Sequence, residues 1–265
     1  MKIIVCIKQV PGITEVKIDP KTRTLIREGI PSILNPMDKN AVELALSFKD
    51  EHGAEVIALS MGPPQARDVL IEAMAMGADG GYLLTDKQFA GADTLATSYT
   101  LSCGIKKILD GASEYLVICG GQAIDGDTAQ VGPELAEELG IPSITNVQKA
   151  TLRDGKIITE RALEDNEINV LETGLPALIT VLRETNKPRF ATLQGIQDAF
   201  EKKEVVSLAL NDLQIDKSKI GLTGSRTQVW KVFVPEKKKE SVILTGPVDE
   251  VVKKLGRILK EKGLI

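Results

Sequence analysis

The segment Gly120-Gly121-Gln122-Ala123-Ile124-Asp125-Gly126-Asp127-Thr128-Ala129-Gln130-Val131-Gly132 holds the residues with the clearest chemical use. Its glycines let backbone amides approach a ligand closely, Thr128 can donate to a phosphate, and Gln122 and Asp125 can hydrogen-bond a base or a ribose. An apolar run, Tyr115 to Cys119, precedes it and a helical pattern follows. A strand–loop–helix unit of this kind presents a helix N-terminus to a diphosphate. The spacing is neither G-x-x-x-x-G-K-[ST] nor G-x-G-x-x-G, and no lysine stands within it for phosphoryl transfer. Asp125 and Asp127 can hold Mg²⁺ in principle, but they suit helix capping equally well. A plain strand-to-helix connection is the other reading of the same residues.

Much other chemistry is excluded. The single histidine, His52, rules out Ser-His-Asp, Cys-His and multi-histidine metal arrangements, and beside Gly53 it suits the end of a helix. Cys6, Cys103 and Cys119 are far apart, odd in number and without a C-x-x-C pair, which argues for small core residues over a disulfide frame or a metal site. No metal site is expected. Lys and Arg total 33 against 37 Asp and Glu, a net charge of −4, so a nucleic-acid surface is not expected. Apolar runs such as Ala177 to Leu182 are far shorter than the roughly 20 residues of a membrane helix. The start, Met1-Lys2 followed by Ile3 to Ile7, reads as a first strand instead of a signal peptide, and the expected location is cytoplasmic.

The elements that must position the loop alternate in type. Ile3 to Ile7, Glu55 to Ser60, Gly81 to Leu84, Tyr115 to Cys119 and Ala177 to Leu182 read as strands, with amphipathic segments between them. That pattern predicts an α/β fold, a mostly parallel sheet with flanking helices. Asn35 and Pro36 start the first helix and Gly53 stops it. A second runs from Pro64 to Met76, and a third is capped by Asp93 or Thr94 with Leu95, Leu101, Ile105 and Ile108 on its buried stripe. A fourth spans Ala129 to Leu139. Met61, Met74 and Met76 read as core filler. Ligands in such sheets bind beyond the carboxyl ends of the strands, where Ser60 to Pro64, Gly91 to Thr94 and Gly120 to Gly132 all lie.

Later segments change character. Arg153-Asp154-Gly155 separates two extended runs, Asn146 to Leu152 and Lys156 to Ala162, and predicts a β-hairpin insertion. Beyond Arg189 the chain is more polar, with charged runs at 201–204 and Lys237-Lys238-Lys239. Pro247 to Lys262 is an amphipathic helix with Val251, Leu255, Ile258 and Leu259 on one side. Such an extended C-terminal arm ending in a helix has too few apolar residues for its own core, and a second chain is the surface expected to receive it.

Three motifs, in this order, add what spacing alone does not supply. Gln122-Ala123-Ile124-Asp125-Gly126-Asp127, then Val170-Leu171-Glu172-Thr173-Gly174-Leu175-Pro176-Ala177, then Asn186-Lys187-Pro188-Arg189-Phe190-Ala191-Thr192-Leu193 resemble the β subunits of electron transfer flavoproteins. The resemblance extends over essentially the whole chain. It implies an adenine-nucleotide hydrolase-like sheet in a heterodimer with an α subunit that carries FAD. In the ordinary branch of that family the β subunit holds a structural AMP. In the bifurcating branch it holds a second FAD, takes hydride from NADH, and sends electrons to ferredoxin or flavodoxin and, through the α-subunit FAD, to an acyl-CoA-type or related dehydrogenase. Lys8-Gln9-Val10-Pro11, Thr14 to Pro20, Thr24 to Ser32 and Gly91 to Thr97 resemble the bifurcating branch; Gly12-Ile13, Arg23 and Met37 depart from it.

Carried over motif by motif, Cys6, Asn35 and Met61 are expected to line the adenosine pocket, mainly through backbone atoms. Gln122, Ala123, Ile124, Asp125, Gly126, Asp127, Thr128, Gln130, Val131 and Gly132 are expected to cradle the phosphates. Asp93, Thr94 and Thr97 are assigned to the extra flavin diphosphate or its neighbourhood. Leu193 is expected to be the apolar anchor on a dehydrogenase, although Gln194, Gly195 and Gln197 depart from the commoner residues there. No side chain is expected to act as a catalytic acid or base. The expected division places the nucleotide-binding domain at 1–190 and the recognition loop and C-terminal arm at 191–265. The rivals are a non-bifurcating carrier with AMP, a stand-alone ATP-binding or adenylating protein, and an interaction subunit without nucleotide.

Overall fold

Short β-branched runs become the strands of one nine-stranded sheet, seen in a computed structural model that describes residues 1–12, 31–163, 167–230 and 241–265. Ile13, Thr14 to Pro20, Arg23, Thr24 to Ile30 and Lys237 to Lys239, all singled out above, lie outside the described residues. The first half of the chain runs β1 (Lys2–Cys6), β2 (Gln9–Pro11), β3 (Ser32–Leu34), α1 (Pro36–His52), β4 (Glu55–Met61), α2 (Arg67–Met76), β5 (Gly80–Leu84), α3 (Thr94–Leu109) and β6 (Tyr115–Gly120). There follow α4 (Val131–Leu139), β7 (Ser143–Arg153), β8 (Lys156–Ala162), β9 (Ile168–Gly174), β10 (Ala177–Val181), α5 (Leu193–Glu201), β11 (Val205–Leu208), α6 (Gly221–Gly224) and α7 (Val248–Glu261).

The strand order is β11-β5-β4-β1-β6-β10-β7-β8-β9, parallel as far as β7, while β2 and β3 form a separate antiparallel pair. Helices cover both faces of the central strands. Ile3 and Val5 of β1 join the cluster containing Val42, Phe48, Leu70 and Ala199, from α1, α2 and α5. Ile4 and Cys6 join the opposite cluster with Leu101, Ile105 and Leu135, from α3 and α4. Burial on both sides is why these strands read as continuous apolar runs without alternation. All three cysteines are free and buried, as small core residues should be.

Several local expectations change. The hairpin is part of a three-stranded meander, because β9 adds antiparallel to β8. Leu95 is exposed, since the inward stripe of α3 begins at Ala96. The second helix opens with a short 3₁₀ turn over Pro64–Ala66, and α4 starts at Val131 because Ala129 has a left-handed backbone. The left-handed Gly53 closes α1 by donating to the Lys49 carbonyl, a role the sequence also offered to His52. Residues 191–208, grouped in sequence with the arm, supply α5 to one helical layer and β11 to the sheet beside β5.

Among the described residues no helix is long and apolar enough to cross a membrane. None of the side chains of α7 is buried, and Val248 and Val252 are largely exposed.

Candidate nucleotide-binding site

The sheet has a switch point between β1 and β6. These strands are parallel neighbours, but the chain leaves β1 for β4 on one side and leaves β6 for β7, beyond β10, on the other, so the loops after their carboxyl ends diverge, as they do at the ligand crevices of such sheets. One lip carries Ile7 to Gln9 and the start of α1; the other is the Gly121 to Gln130 loop.

Asn35 stitches the lips together. It stands at the N-cap of α1 but makes no capping bond; its side-chain amide donates to the Gln122 carbonyl at 3.0 Å, and its side-chain oxygen accepts from the Ile124 N–H at 3.2 Å. Its own N–H donates to the Lys8 carbonyl at 3.0 Å. Burying an amide this completely is tolerable only because both of its ends are paired. Above it, the Lys8 ammonium lies 2.8 Å from both oxygens of Asp125. The lysine absent from the loop's own sequence is therefore supplied from the end of β1.

The loop itself is wound tightly. The Asp127 N–H donates to the Ala123 carbonyl at 2.8 Å, the Gln122 side chain donates to the Asp127 carboxylate, and Asp127 and Ala129 both have left-handed backbones. For Ala129 that conformation costs about 1 kcal/mol, a strain that tends to persist where a site requires it. Gln130 does not cap α4 through its side chain, which leaves the first N–H groups of that helix for an anion. A Cβ at Gly132 would collide with Thr180 of β10, so only glycine lets the helix start sit this close to the sheet. Nothing stands within 4 Å of where a Gly126 side chain would project.

The N-terminus of α3 reaches the same place. The Thr94 hydroxyl is 3.3 Å from the Gln130 side-chain oxygen and 3.2 Å from a Glu134 carboxylate oxygen, while Ser98 contacts the other Glu134 oxygen at 3.3 Å. Thr97 is half-buried one turn on. Asp93 is already engaged: its carboxylate accepts from the Ala96 N–H at 3.0 Å, the Arg226 N–H at 2.7 Å, the Thr227 N–H at 2.9 Å and the Thr227 hydroxyl at 3.1 Å. Partial burial opposes its charge, but these donors prevail and hold its pKa below the usual carboxylate range. Asp93 thus ties the C-terminal segment to α3.

Beneath the crevice, Cys6 ends β1 opposite Cys119 of β6, and contact between the two thiols, together with burial, pushes the Cys119 pKa up. Met61 closes β4 half-buried. The structure thus gathers Cys6, Asn35, the 122–132 loop and Thr94 around one crevice. It also adds two groups that were not selected from sequence, the Lys8 ammonium and the Asp38 carboxylate. Both come from chain far from the loop: pairing of β1 with β6 places Lys8, and the start of α1 seated against the end of β6 places Asp38.

Leu193 stands elsewhere. Thr192 caps α5 by accepting from the Gly195 N–H at 2.9 Å, and Gly195 packs against the Ala75 carbonyl near the end of α2, towards the amino ends of the strands. Arg189 fixes the approach through a fork on Glu43 at 2.9 to 3.2 Å and a bond to Asp50 at 2.8 Å; this keeps its guanidinium firmly charged. Leu193 and Phe190 are each 88% exposed. Among the described residues no cluster of three metal-ligating side chains occurs.

The mostly parallel sheet, its parted loops at the β1–β6 switch point and the exposed C-terminal helix define an α/β subunit. The chain belongs to the electron transfer flavoprotein family, as a β-subunit type: the model described as "Electron transfer flavoprotein domain" matches residues 22–213. It is similar to the electron transfer flavoprotein subunit beta of Thermoanaerobacterium thermosaccharolyticum, 49% identical over 266 residues with both chains fully covered. It is equally similar, 49% over 267 residues and again at full coverage, to the caffeyl-CoA reductase-Etf complex subunit CarD of Acetobacterium woodii. The acryloyl-CoA reductase electron transfer subunit gamma of Anaerotignum propionicum is 43% identical over 270 residues, also at full coverage.

Proposed function

We propose that this β subunit holds FAD in the crevice between β1 and β6, accepts hydride from NADH there, and bifurcates the electrons in the cytoplasm. One electron goes to ferredoxin or flavodoxin and the other, through the FAD of an α subunit, to an acyl-CoA-type or related dehydrogenase. A flavin supplies the chemistry when bound, taking two electrons at once and giving them up singly. The chain's own residues place and tune it. Gln122 to Gly132 and the Lys8 ammonium would hold the phosphates, with Thr94 and Thr97 beside them and Asp93 setting the start of α3. Cys6, Asn35 and Met61 would border the adenosine. Helix N-termini of α3 and α4 favour negative charge and so favour the reduced, anionic forms of a nearby flavin.

The observation that carries this reading is the convergence of the uncapped α4 terminus, the α3 terminus and Lys8 on one crevice. The relatives whose names join them to caffeyl-CoA and acryloyl-CoA reductases support an acyl-CoA-type acceptor. In this reading residues 1–190 form the nucleotide-binding part, and 191–265 the recognition segment around Leu193 and the arm that meets the α subunit. The second reading is a non-bifurcating carrier with AMP in the same crevice, which the same amides would hold equally well. Nucleotides released per heterodimer, measured with anaerobic NADH bleaching, separate the two. Two FAD with rapid bleaching supports bifurcation; one FAD and one AMP without bleaching reduces the chain to an ordinary carrier.

A further inference from the structure

Among the described residues, Asp38 is the one acidic side chain classed with the buried core, at 6% exposure. A carboxylate in such a place is costly unless its neighbours repay the lost hydration. No ammonium sits on it, because Lys8 spends its charge on Asp125. Its contacts are instead with the two strand ends at the crevice. The Lys8 N–H donates to Asp38 Oδ2 at 2.7 Å, and the Gly120 N–H and the Asn35 side chain also donate towards the carboxylate. Gly120 has no Cβ to spare here, since one would run into Asp38. The carboxylate is thus wedged between the end of β1 and the end of β6, directly below the two lips.

We propose that Asp38 is a positioning residue, whose ionised carboxylate fixes the spacing of the ends of β1 and β6 and so holds Lys8 and the Gln122–Thr128 loop in register for nucleotide phosphates. The inference rests on the reading of that crevice as a phosphate site. Burial raises the Asp38 pKa to about 7, against the opposing pull of Asn35, Lys8 and Gly120. The other groups facing it are the Cys6 and Cys119 thiols beneath, with Asp125 beyond the Lys8 ammonium. When Asp38 is protonated, one oxygen offers an O–H where it had accepted, and the stitch loosens. An acid whose pKa is raised by folding contributes stability that is complete below the unfolded value of 3.8 and is lost as the pH rises through about 7. Above neutrality, therefore, the ionised group costs the fold stability while serving the site.

The test uses the heterodimer stripped of nucleotide, with ADP-ribose as the probe, because its diphosphate stays fully charged from about pH 6 to about pH 8. Wild type should bind ADP-ribose about tenfold more tightly at the higher pH, following the ionised fraction of Asp38. Asp38→Asn should bind it about tenfold more weakly than wild type at the higher pH, with a flat pH profile and a melting temperature there that is unchanged or raised. Wild-type affinity and wild-type pH dependence in Asp38→Asn would overturn the proposal. If that variant does not fold, wild type alone decides by comparison with adenosine, which lacks phosphate. A pH response confined to ADP-ribose supports the proposal, whereas an equal response to both probes, or none, overturns it. Binding of adenosine without any binding of ADP-ribose by wild type would instead remove the phosphate-site reading, and this inference with it.

Discussion

Lys8 and Asp125 are far apart in sequence, yet the ammonium of one lies 2.8 Å from both oxygens of the other, spanning the crevice between the loops after β1 and β6. Their side chains remain 48% and 33% exposed, so the pair is worth no more than about 1 kcal/mol to the fold. Its value lies in where it puts a positive charge. Lys8→Ala should leave the melting temperature within a few degrees of wild type and weaken AMP or FAD binding roughly tenfold, the size of one lost charge-assisted hydrogen bond. Asp125→Asn, which frees the ammonium, should tighten the same binding. Calorimetric titration of the stripped heterodimer checks both, and equal affinities in all three proteins would remove Lys8 from the site.

Gly126 offers a way to fill the crevice without disturbing the core. Because nothing stands within 4 Å of its absent Cβ and its φ is not left-handed, Gly126→Trp should fold with near-native stability. Nucleotide content after purification should drop to the α-subunit FAD alone. A full complement of both nucleotides in this variant would show that the loop is not the binding surface.

Asp93→Ala removes a helix cap and the hold on Arg226 and Thr227 together. The cap alone is worth about 1 kcal/mol, and the freed segment should become the first place a protease cuts. Amide exchange at residues 225–227 should rise sharply while exchange in β1 and β6 stays unchanged. Protection at 225–227 equal to wild type would mean that the segment is held by other contacts.

Leu193→Ala should be almost silent in denaturation experiments, because an 88% exposed side chain loses little on truncation. Electron delivery to the dehydrogenase should slow, as expected when an apolar anchor is cut back. Flavin reduction by NADH should not change, given the distance of α5 from the crevice. Slower reduction would place Leu193 in the flavin environment instead.

The strands and helices on both faces of the sheet were legible because apolar runs and capping residues are local signals: Ile3, Val56 and Leu116 sit in the core that their spacing implies. The 120–132 loop was legible too, since glycine and acid clusters after a strand are rare enough to notice. Lys8 and Asp38 were not read as site residues, because nothing local shows what they will face; each reaches the loop only when β1 and the start of α1 fold beside β6. Asn35 misled for a related reason. Its position promised a helix cap, and the long-range bonds to Gln122 and Ile124 took the side chain instead. Leu95 shows the same limit on a smaller scale, where one residue of phase at a helix start separates core from solvent. The fate of residues 205–208 was missed because this short apolar run follows the charged residues 201–204 and its partner strand lies far back in the chain.

That last pairing has a consequence for the nascent polypeptide. Gly81 to Leu84 emerge from the ribosome early but must wait for Val205 to Leu208 before their outer hydrogen bonds are met. Throughout that interval β5 is an open edge, able to pair with any other extended chain nearby. Slow translation through α4 and the meander would prolong the exposure. Of the inner strands made early, β5 therefore waits longest for its second neighbour, because β6 is already covered once β10 is made.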